Sequence, residues 1–459
     1  MAHGIRTVNK LLTEYMPSAA NNLRRLKIAF FVGVFPVVSE TFIVRQITAL
    51  RASGHQVDIF ADTPGASGAP LDAEAGALLE HVTYMDMPLE VAPYEMPVSP
   101  ILGRTWPPGS PTSVWNVARI ARAFPKFARC VAASPRLALR MLNKSEYGYR
   151  AQSLSQVYRM ARLVERGGKY DVLHAHFGPV AESFRFSQAL WRAPFVASFH
   201  GHDFTTLPRK EHKNIYRNLF ANADALTGSS AFSLQRLSAL GCPEAKLHRL
   251  PMGVDPARFP FRRRTLVPPE AVRILVVARL IPIKGVNVAI DAICELRKRC
   301  ANVQLDIVGD GPLRGELEQQ ASALGLKGIV RFHGPLAAQE IQRLSDLAHI
   351  FMHTCVTIDG DQEGQGLVLQ EAQAAGLPVV ATRHGAFPEG VLEGKSALLV
   401  PERDPRATAD ALHYLIQNPQ IWPEMGQAGR AFVERNYDIW SLNDQLVSLY
   451  HQLIAEFRP

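Results

Sequence analysis

The stretch from Phe351 to Glu393 constrains this chain more than any other. An apolar run ending near Met352 reads as a buried strand, and a polar, glycine-rich loop follows it. Leu367 to Ala375 has helical character, Gly376 suits the left-handed stop of a helix, and Pro378 prevents continuation. Val379-Val380-Ala381 then restarts as a β-branched strand. Such a strand–loop–helix–strand unit calls for a parallel sheet covered by helices, because only a crossover joins parallel neighbours. Glycines crowd the start of the helix, where free N–H groups and the positive dipole end suit a phosphate. Glu363 lies in the loop and Glu371 in the helix. A carboxylate accepts two hydrogen bonds at once, which suits vicinal hydroxyls. Taken alone, the pair reads first as two solvated surface acids.

The same unit opens the chain. Lys27 to Val32 reads as a strand and the turn Gly33 to Val38 follows. Ser39 is placed to cap a helix with Phe42, Ile43, Ile47 and Leu50 on one face, and Gly54 ends it before a second strand. The Gly-x-Gly-x-x-Gly fingerprint is missing, which disfavours an ordinary NAD site. The turn offers Ser39, Glu40 and Thr41, either as substrate contacts or as a plain cap. Two further strand ends carry His174-Ala-His176-Phe-Gly178 and His200-Gly-His202-Asp203, at the carboxyl ends where open α/β sheets form their ligand crevice. Neither His-x-His pair has the helical context of a metalloprotease site, so contact with a substrate hydroxyl or phosphate is the reading carried forward over metal ligation.

A second half begins at Val272 after a turn-rich linker of prolines and arginines. Its first strand is followed at once by Arg279 and Lys284. Two cations in a strand-to-helix loop suit a diphosphate, Arg as a bidentate donor and Lys as a point charge, against the plain alternative of solvated loop cations. Gly309-Asp-Gly311 makes a tight turn after the next strand, and His333-Gly334 ends another. Ile439 to Phe457 reads as a final amphipathic helix.

At 459 residues two or three domains are expected, and 47% apolar residues describe globular cores. Five cysteines without a Cys-x-x-Cys pair argue for reduced thiols and a cytoplasmic location. The first apolar segment, Ile28 to Val38, is too short to span a bilayer and contains Pro36. The net charge of +8 is local: residues 111–170 hold twelve Lys or Arg against Glu146 and Glu165. Trp115, Ile120, Phe124, Phe127 and Leu139 are interleaved among them. That pattern suits an anionic membrane surface, or is the solvated face of ordinary helices. No nucleic-acid partner is expected. Residues 62–112, rich in Ala, Gly and Pro, read as an irregular insertion.

Arg279 with Lys284, Gly309-Asp-Gly-Pro, and Glu363-x7-Glu371 before Ala375-Gly-Leu-Pro-Val-Val-Ala resemble the retaining glycosyltransferases of family 4. Phe35-Pro-x-x-Ser-Glu-Thr-Phe-Ile and Asp171-Val-Leu-His-Ala-His-Phe-Gly resemble the bacterial exopolysaccharide enzymes of the colanic acid and amylovoran type. The resemblance implies an α/β chain of GT-B fold, two Rossmann-like domains facing across a cleft, with the last helix crossing back. The boundaries expected are an extension at 1–25, an acceptor-binding domain at 26–258 with the basic helical insertion at about 111–170, a linker at 259–270, a nucleotide-sugar domain at 271–436 and the crossover helix at 437–459.

The implied activity is retaining, metal-independent hexosyl transfer from a nucleotide-diphosphate sugar to a saccharide acceptor carried on undecaprenyl diphosphate, at the inner face of the cytoplasmic membrane. No cofactor is implied. By the same resemblance the catalytic set is His200, Glu363, Arg279 and Lys284. Donor contacts are expected from Arg279, Lys284, Gly309, Gly311, His333, Glu363, Gly366, Leu367 and Glu371, and acceptor contacts from Ser39, Thr41, His176 and Asp203. Gly366 stands where many relatives have proline, which is expected to loosen the loop. Three other readings stay open: a nucleotide-sugar sensor without turnover, an epimerase or phosphorylase of the same architecture, and a metal-dependent GT-A transferase using Asp359-Gly-Asp361.

Overall fold

Apolar runs without polar alternation form strands buried on both faces, and the computed structural model shows thirteen of them in two parallel sheets among the described residues. Those residues are 24–37, 40–65, 73–85, 87, 113–211, 214–266 and 271–458, with the backbone alone at 113–119 and 149. The first sheet holds β1 (Lys27–Phe35), β2 (Gln56–Pro64), β3 (Val82–Tyr84), β4 (Val172–His176), β5 (Phe195–Phe199), β6 (Ala225–Gly228) and β7 (Leu247–Arg249), in the order β3-β2-β1-β4-β5-β6-β7. The second holds β8 (Val272–Val277), β9 (Val303–Val308), β10 (Val330–Gly334), β11 (Ile350–His353), β12 (Val379–Thr382) and β13 (Ala397–Val400), in the order β10-β9-β8-β11-β12-β13. Each order reverses once, between β1 and β4 and between β8 and β11. The loops leaving those strands diverge to opposite faces and open a crevice at their carboxyl ends.

The helices that matter for the site are α1 (Thr41–Ala52), α2 (Ser113–Ala133), α3 (Pro135–Met141), α4 (Ala231–Ala239), α5 (Val286–Arg297), α6 (Leu367–Ala374) and α7 (Ile439–Glu456). Ile43, Val44, Ile47 and Leu50 bury one face of α1 against β1 and β2. α7 returns to the same layer: Leu446, Val447, Tyr450 and Leu453 join Ile28, Phe30 and Ile47 in one apolar cluster. The Tyr450 hydroxyl meets His174 Nδ1 at 2.5 Å, so the last helix is tied to a central strand of the first sheet.

Several expectations change. β1 runs to Phe35, beyond the expected turn at Gly33. Within 62–112, β2 extends to Pro64, and residues 73–84 form a short helix and an edge strand because Ala75 and Leu78 find a core to enter. Residues 66–72, 86 and 88–112 of that segment lie outside the described residues, as do 1–23 and Ser39. The basic stretch is helical, but its charges are not all solvent-facing: Arg159 is fully buried and makes a bidentate pair with Asp62 at 2.8 and 2.7 Å. In the linker, Arg264 is buried and donates to the carbonyls of Ser345, Asp346, Ala348 and Ala375. Four carbonyl acceptors offset the cost of burying that guanidinium.

Candidate active site

At the second switch point the chain leaves β8 into Arg279 and Lys284. This loop runs hard against the glycine turn after β9: a Cβ on Gly309 would lie 1.9 Å from the Ala278 carbonyl oxygen, and one on Gly311 2.4 Å from that of Leu280. The glycines therefore let two backbones abut and set the position of Arg279. Lys284 Nζ donates to Glu363 Oε1 at 2.8 Å, and both side chains are largely enclosed, at 12% and 21% exposure. Burial alone would lift the Glu363 carboxyl, but Lys284 overrides it and holds it down at about 2. Burial likewise works against the Lys284 ammonium, and Glu363 more than restores it, raising its pKa. Glu363 is thus an ionised carboxylate at every pH of interest.

Gly366 begins α6 with φ +78, a left-handed value, and a Cβ there would lie 2.4 Å from Phe387 Cε1. Proline fixes φ near −65° and has no access to this conformation. The loop is pinned, not loosened: the Gln365 amide accepts from Met252 N at 2.7 Å and donates to Met252 O at 2.8 Å. Leu367 is the first helical residue, and Glu371 lies one turn on. His333 stands apart on the edge strand β10, with β9 between it and β8, and bonds Asp306 Oδ1 at 2.7 Å.

At the first switch point, His176 and His200 stack at 5.2 Å, with Nδ1 of the former 3.0 Å from Nε2 of the latter. Phe42 and Phe177 enclose the His200 ring at 4.7 and 4.8 Å. Burial holds the His200 imidazole down to about 3, so it acts as a neutral ring. Its Nδ1 is buried and unpartnered, as is Nε2 of His176. Asp203 is buried, and its carboxylate accepts from the backbone N–H groups of Gly178, His200 and Gly201, at 2.9 to 3.3 Å. It joins the loops after β4 and β5. Thr41 is the first residue of α1 and half-buried. Beside it, burial pushes the Glu40 carboxyl up to about 7, while Arg279 from the other half draws it down.

The two halves meet along the loop that carries Glu363. A Cβ on Gly364 would lie 2.8 Å from the His200 carbonyl oxygen, and the Gly364 carbonyl accepts from Ser229 Oγ and Ser230 Oγ at 2.9 and 2.7 Å. Glu389 accepts from the first two N–H groups of α4, Ala231 and Phe232, at 2.7 and 2.8 Å. Arg45 on α1 donates to Glu371 Oε1 at 2.7 Å. Asp361 accepts from the Thr205 hydroxyl at 2.5 Å, so one carboxylate of Asp359-Gly-Asp361 is spent on the interface between the halves. Among the described residues no three His, Cys, Asp or Glu side chains converge as metal ligands.

Comparison with known proteins identifies the ensemble. Residues 39–253 match the glycosyl transferase 4-like domain, and residues 271–418 match the glycosyl transferases group 1. The chain is 31% identical over 435 residues to the putative colanic acid biosynthesis glycosyltransferase WcaL of Escherichia coli (strain K12), covering 93% of this chain and 100% of that one. The chain belongs to glycosyltransferase family 4. This transferase is also 30% identical over 436 residues to the amylovoran biosynthesis glycosyltransferase AmsK of Erwinia amylovora, covering 93% and 100% of the two chains. Its fold matches that of Anabaena HepE in complex with UDP and glucose, with a TM-score of 0.64 at 18% identity over 93% of this chain and 100% of that one. It matches sucrose-phosphate synthase of Thermosynechococcus elongatus at a TM-score of 0.63 and 19% identity over 94% and 100%. The architecture is GT-B, as expected, and the single-sheet GT-A reading falls with it.

Arg45, His384 and Glu402 of the transferase were not found by reading its sequence. Arg45 sits on the polar face of an ordinary amphipathic helix, and its partner is 326 residues away. His384 lies in a loop after β12, next to a glycine, with no motif around it. The conformation of Gly366 had a legible signal, a glycine directly before a helix.

Proposed function

We propose that this transferase moves a hexosyl group, with retention of anomeric configuration and without a metal ion, from a nucleoside-diphosphate sugar to a saccharide carried on a lipid diphosphate. The observation that carries the reading is the Lys284–Glu363 pair at the β8–β11 switch point, with Arg279 beside it and the N-terminus of α6 adjoining. Arg279, Lys284 and the N–H groups at Gly366 and Leu367 offer the positive field that a departing diphosphate needs, and a field already in place costs no reorganisation. Glu363 accepts from donor-sugar hydroxyls and Glu371 from ribose hydroxyls. Gly309 and Gly311 set the Arg279 loop against the phosphates, and His333 lines the outer edge. Neutral His200 bonds the transferring sugar, with His176 stacked behind it, and Asp203 holds both loops. Thr41, the first residue of α1, meets the acceptor together with Ser39.

In the step this implies, the bond from the anomeric carbon to the β-phosphate oxygen breaks, and the acceptor oxygen bonds the same face of that carbon. The acceptor's proton passes to the departing phosphate. Support for the donor class comes from HepE, whose structure holds UDP and glucose. Support for the acceptor class comes from WcaL and AmsK, enzymes of exopolysaccharide biosynthesis by name.

The partner surface belongs to α2 and α3. Ile120, Phe124 and Leu139 are exposed there, Phe124 at 70% and Leu139 at 64%, among the exposed cations Arg122, Arg129, Arg136 and Arg140. A cationic face studded with apolar side chains suits an anionic bilayer carrying the acceptor. No helix among the described residues is long and apolar enough to cross a membrane.

A transfer screen over uridine- and guanosine-diphosphate sugars, with the product anomer assigned by NMR and EDTA in a parallel arm, tests the reading. One donor consumed with retention, at equal rate in EDTA, is the expected result. Inverted product, loss of activity in EDTA restored by manganese, or turnover of no donor would overturn it.

A further inference from the structure

Beside Glu363 lies a polar chain, centred on a buried histidine, that no motif announces. His384 is fully buried in the loop after β12. Its Nδ1 is 2.7 Å from Glu402 Oε1, and its Nε2 accepts the backbone N–H of Glu363 at 3.0 Å. Since Nε2 accepts, the ring proton sits on Nδ1 and points at the carboxylate, so one tautomer satisfies both bonds. Glu402 is itself fixed: it accepts from Thr357 N at 2.6 Å and from Thr357 Oγ1 at 2.9 Å. The next residues of the His384 loop close on the carbonyl of the same residue. Ala386 N donates to the Glu363 carbonyl at 3.1 Å, and a Cβ on Gly385 would lie 2.4 Å from that oxygen.

The backbone of Glu363 is therefore gripped at its N–H by His384 and at its C=O by Ala386, while its side chain projects to Lys284. We propose that His384, oriented by Glu402, is a positioning residue that sets the backbone of Glu363 and so aims its carboxylate into the donor site. The inference rests on the reading of Glu363 as the donor-sugar ligand. A carboxylate that must match two sugar hydroxyls loses its advantage when its backbone shifts by a fraction of a hydrogen-bond length. The same chain reaches the other half of the molecule. Thr357 Oγ1 accepts from Gln362, and Gln362 accepts from Arg236 on α4 at 2.8 Å, so the grip on Glu363 is linked to the contact between the halves.

The test compares two amides of different reach. In His384→Gln the amide oxygen extends to about where Nε2 stands and accepts from Glu363 N–H. In His384→Asn the amide meets Glu402 but falls short of Glu363. Amide exchange at Glu363, followed by mass spectrometry with single-residue fragmentation, reads the grip directly. The expected result is native protection in His384→Gln and lost protection in His384→Asn. With donor and acceptor, kcat of His384→Asn falls by about ten- to a hundredfold with a smaller change in donor KM, while His384→Gln stays within about threefold of the parent. Glu402→Leu, which frees the ring to turn, falls with His384→Asn. Equal protection in the two His384 variants, or kcat of the parent in His384→Asn, overturns the proposal. The exchange readout does not depend on turnover, so a parent protein that uses no nucleotide sugar removes the donor reading and leaves the grip on Glu363 to be decided by exchange alone.

Discussion

Arg45 Nη1 lies 2.7 Å from Glu371 Oε1, although 326 residues separate them. The arginine comes from α1 of the first sheet and the glutamate from α6 of the second, and their side chains are only 13% and 22% exposed. The glutamate assigned to the ribose is thus already held by the opposite half. Arg45→Met leaves Glu371 without its cation, and nucleotide affinity is expected to fall by about fivefold, near 1 kcal/mol for a partly enclosed pair. Calorimetric titration with UDP and GDP measures it. Unchanged affinity would mean that Arg45 takes no part in donor binding.

Lys284→Met removes the one cation bonded to Glu363 among the described residues and leaves that largely enclosed carboxylate uncompensated. A loss of about 3–5 kcal/mol in unfolding free energy is expected, with kcat down by about a hundredfold or more. Urea unfolding and steady-state assays read the two effects. The double variant Lys284→Met, Glu363→Leu should recover stability but not activity, which separates the two roles.

Several imidazoles are stored uncharged. Burial lowers His174, His200 and His353 to about 3 and His176 well below its ordinary 6.5. The unfolded chain takes up these protons near 6.5 and the folded chain resists until about 3. Stability is therefore complete above 6.5 and is lost as pH falls through the window down to 3, on the order of 1 kcal/mol per ring per pH unit. Glu363 adds a later loss, from its ordinary 4.5 down to about 2. Urea midpoints should hold from about pH 7.5 to about pH 6.5 and drop steadily from there to about pH 5. A flat profile over that range would contradict neutral burial of the rings.

Gly366→Ala is expected to cost about 1–3 kcal/mol, from a left-handed backbone and from overlap with Phe387. Gly366→Pro, which restores the residue of many relatives, should cost at least as much here, because φ +78 is closed to proline. Thermal denaturation of both variants decides it. A stabilised proline variant would show that the loop can take a second path.

On α2 and α3, vesicle flotation provides the check. Binding is expected to phosphatidylglycerol vesicles and to weaken with salt, since screening shortens to about 3 Å at 1 M. Replacing Arg122 and Arg136 by Glu should weaken it by on the order of 1 kcal/mol for each cation removed. Equal binding to neutral vesicles would rule out an electrostatic surface.

The alternation of strand and helix was legible because it is local. Apolar runs such as Val272 to Val277, and stops such as Gly376 with Pro378, act over a few residues whatever the rest of the chain does. The residue types at the strand ends were legible for the same reason, and Arg279, Lys284 and Glu363 could be picked out as charges in the right kind of loop, with Glu371 in the helix that follows. What each charge faces was not. Lys284 meets Glu363 only because the sheet order puts β8 beside β11, and Glu371 meets Arg45 only because the halves close on each other. Asp203 shows the same limit: its type suggested a ligand for the acceptor, and its three backbone donors use it to join two loops. His384 shows it most fully, since its role depends on a carboxylate 18 residues on and a peptide 21 residues back. Hydrophobic period and turn chemistry are written along the chain. The partner of a buried charge is decided by which strands become neighbours, and only the folded chain settles that.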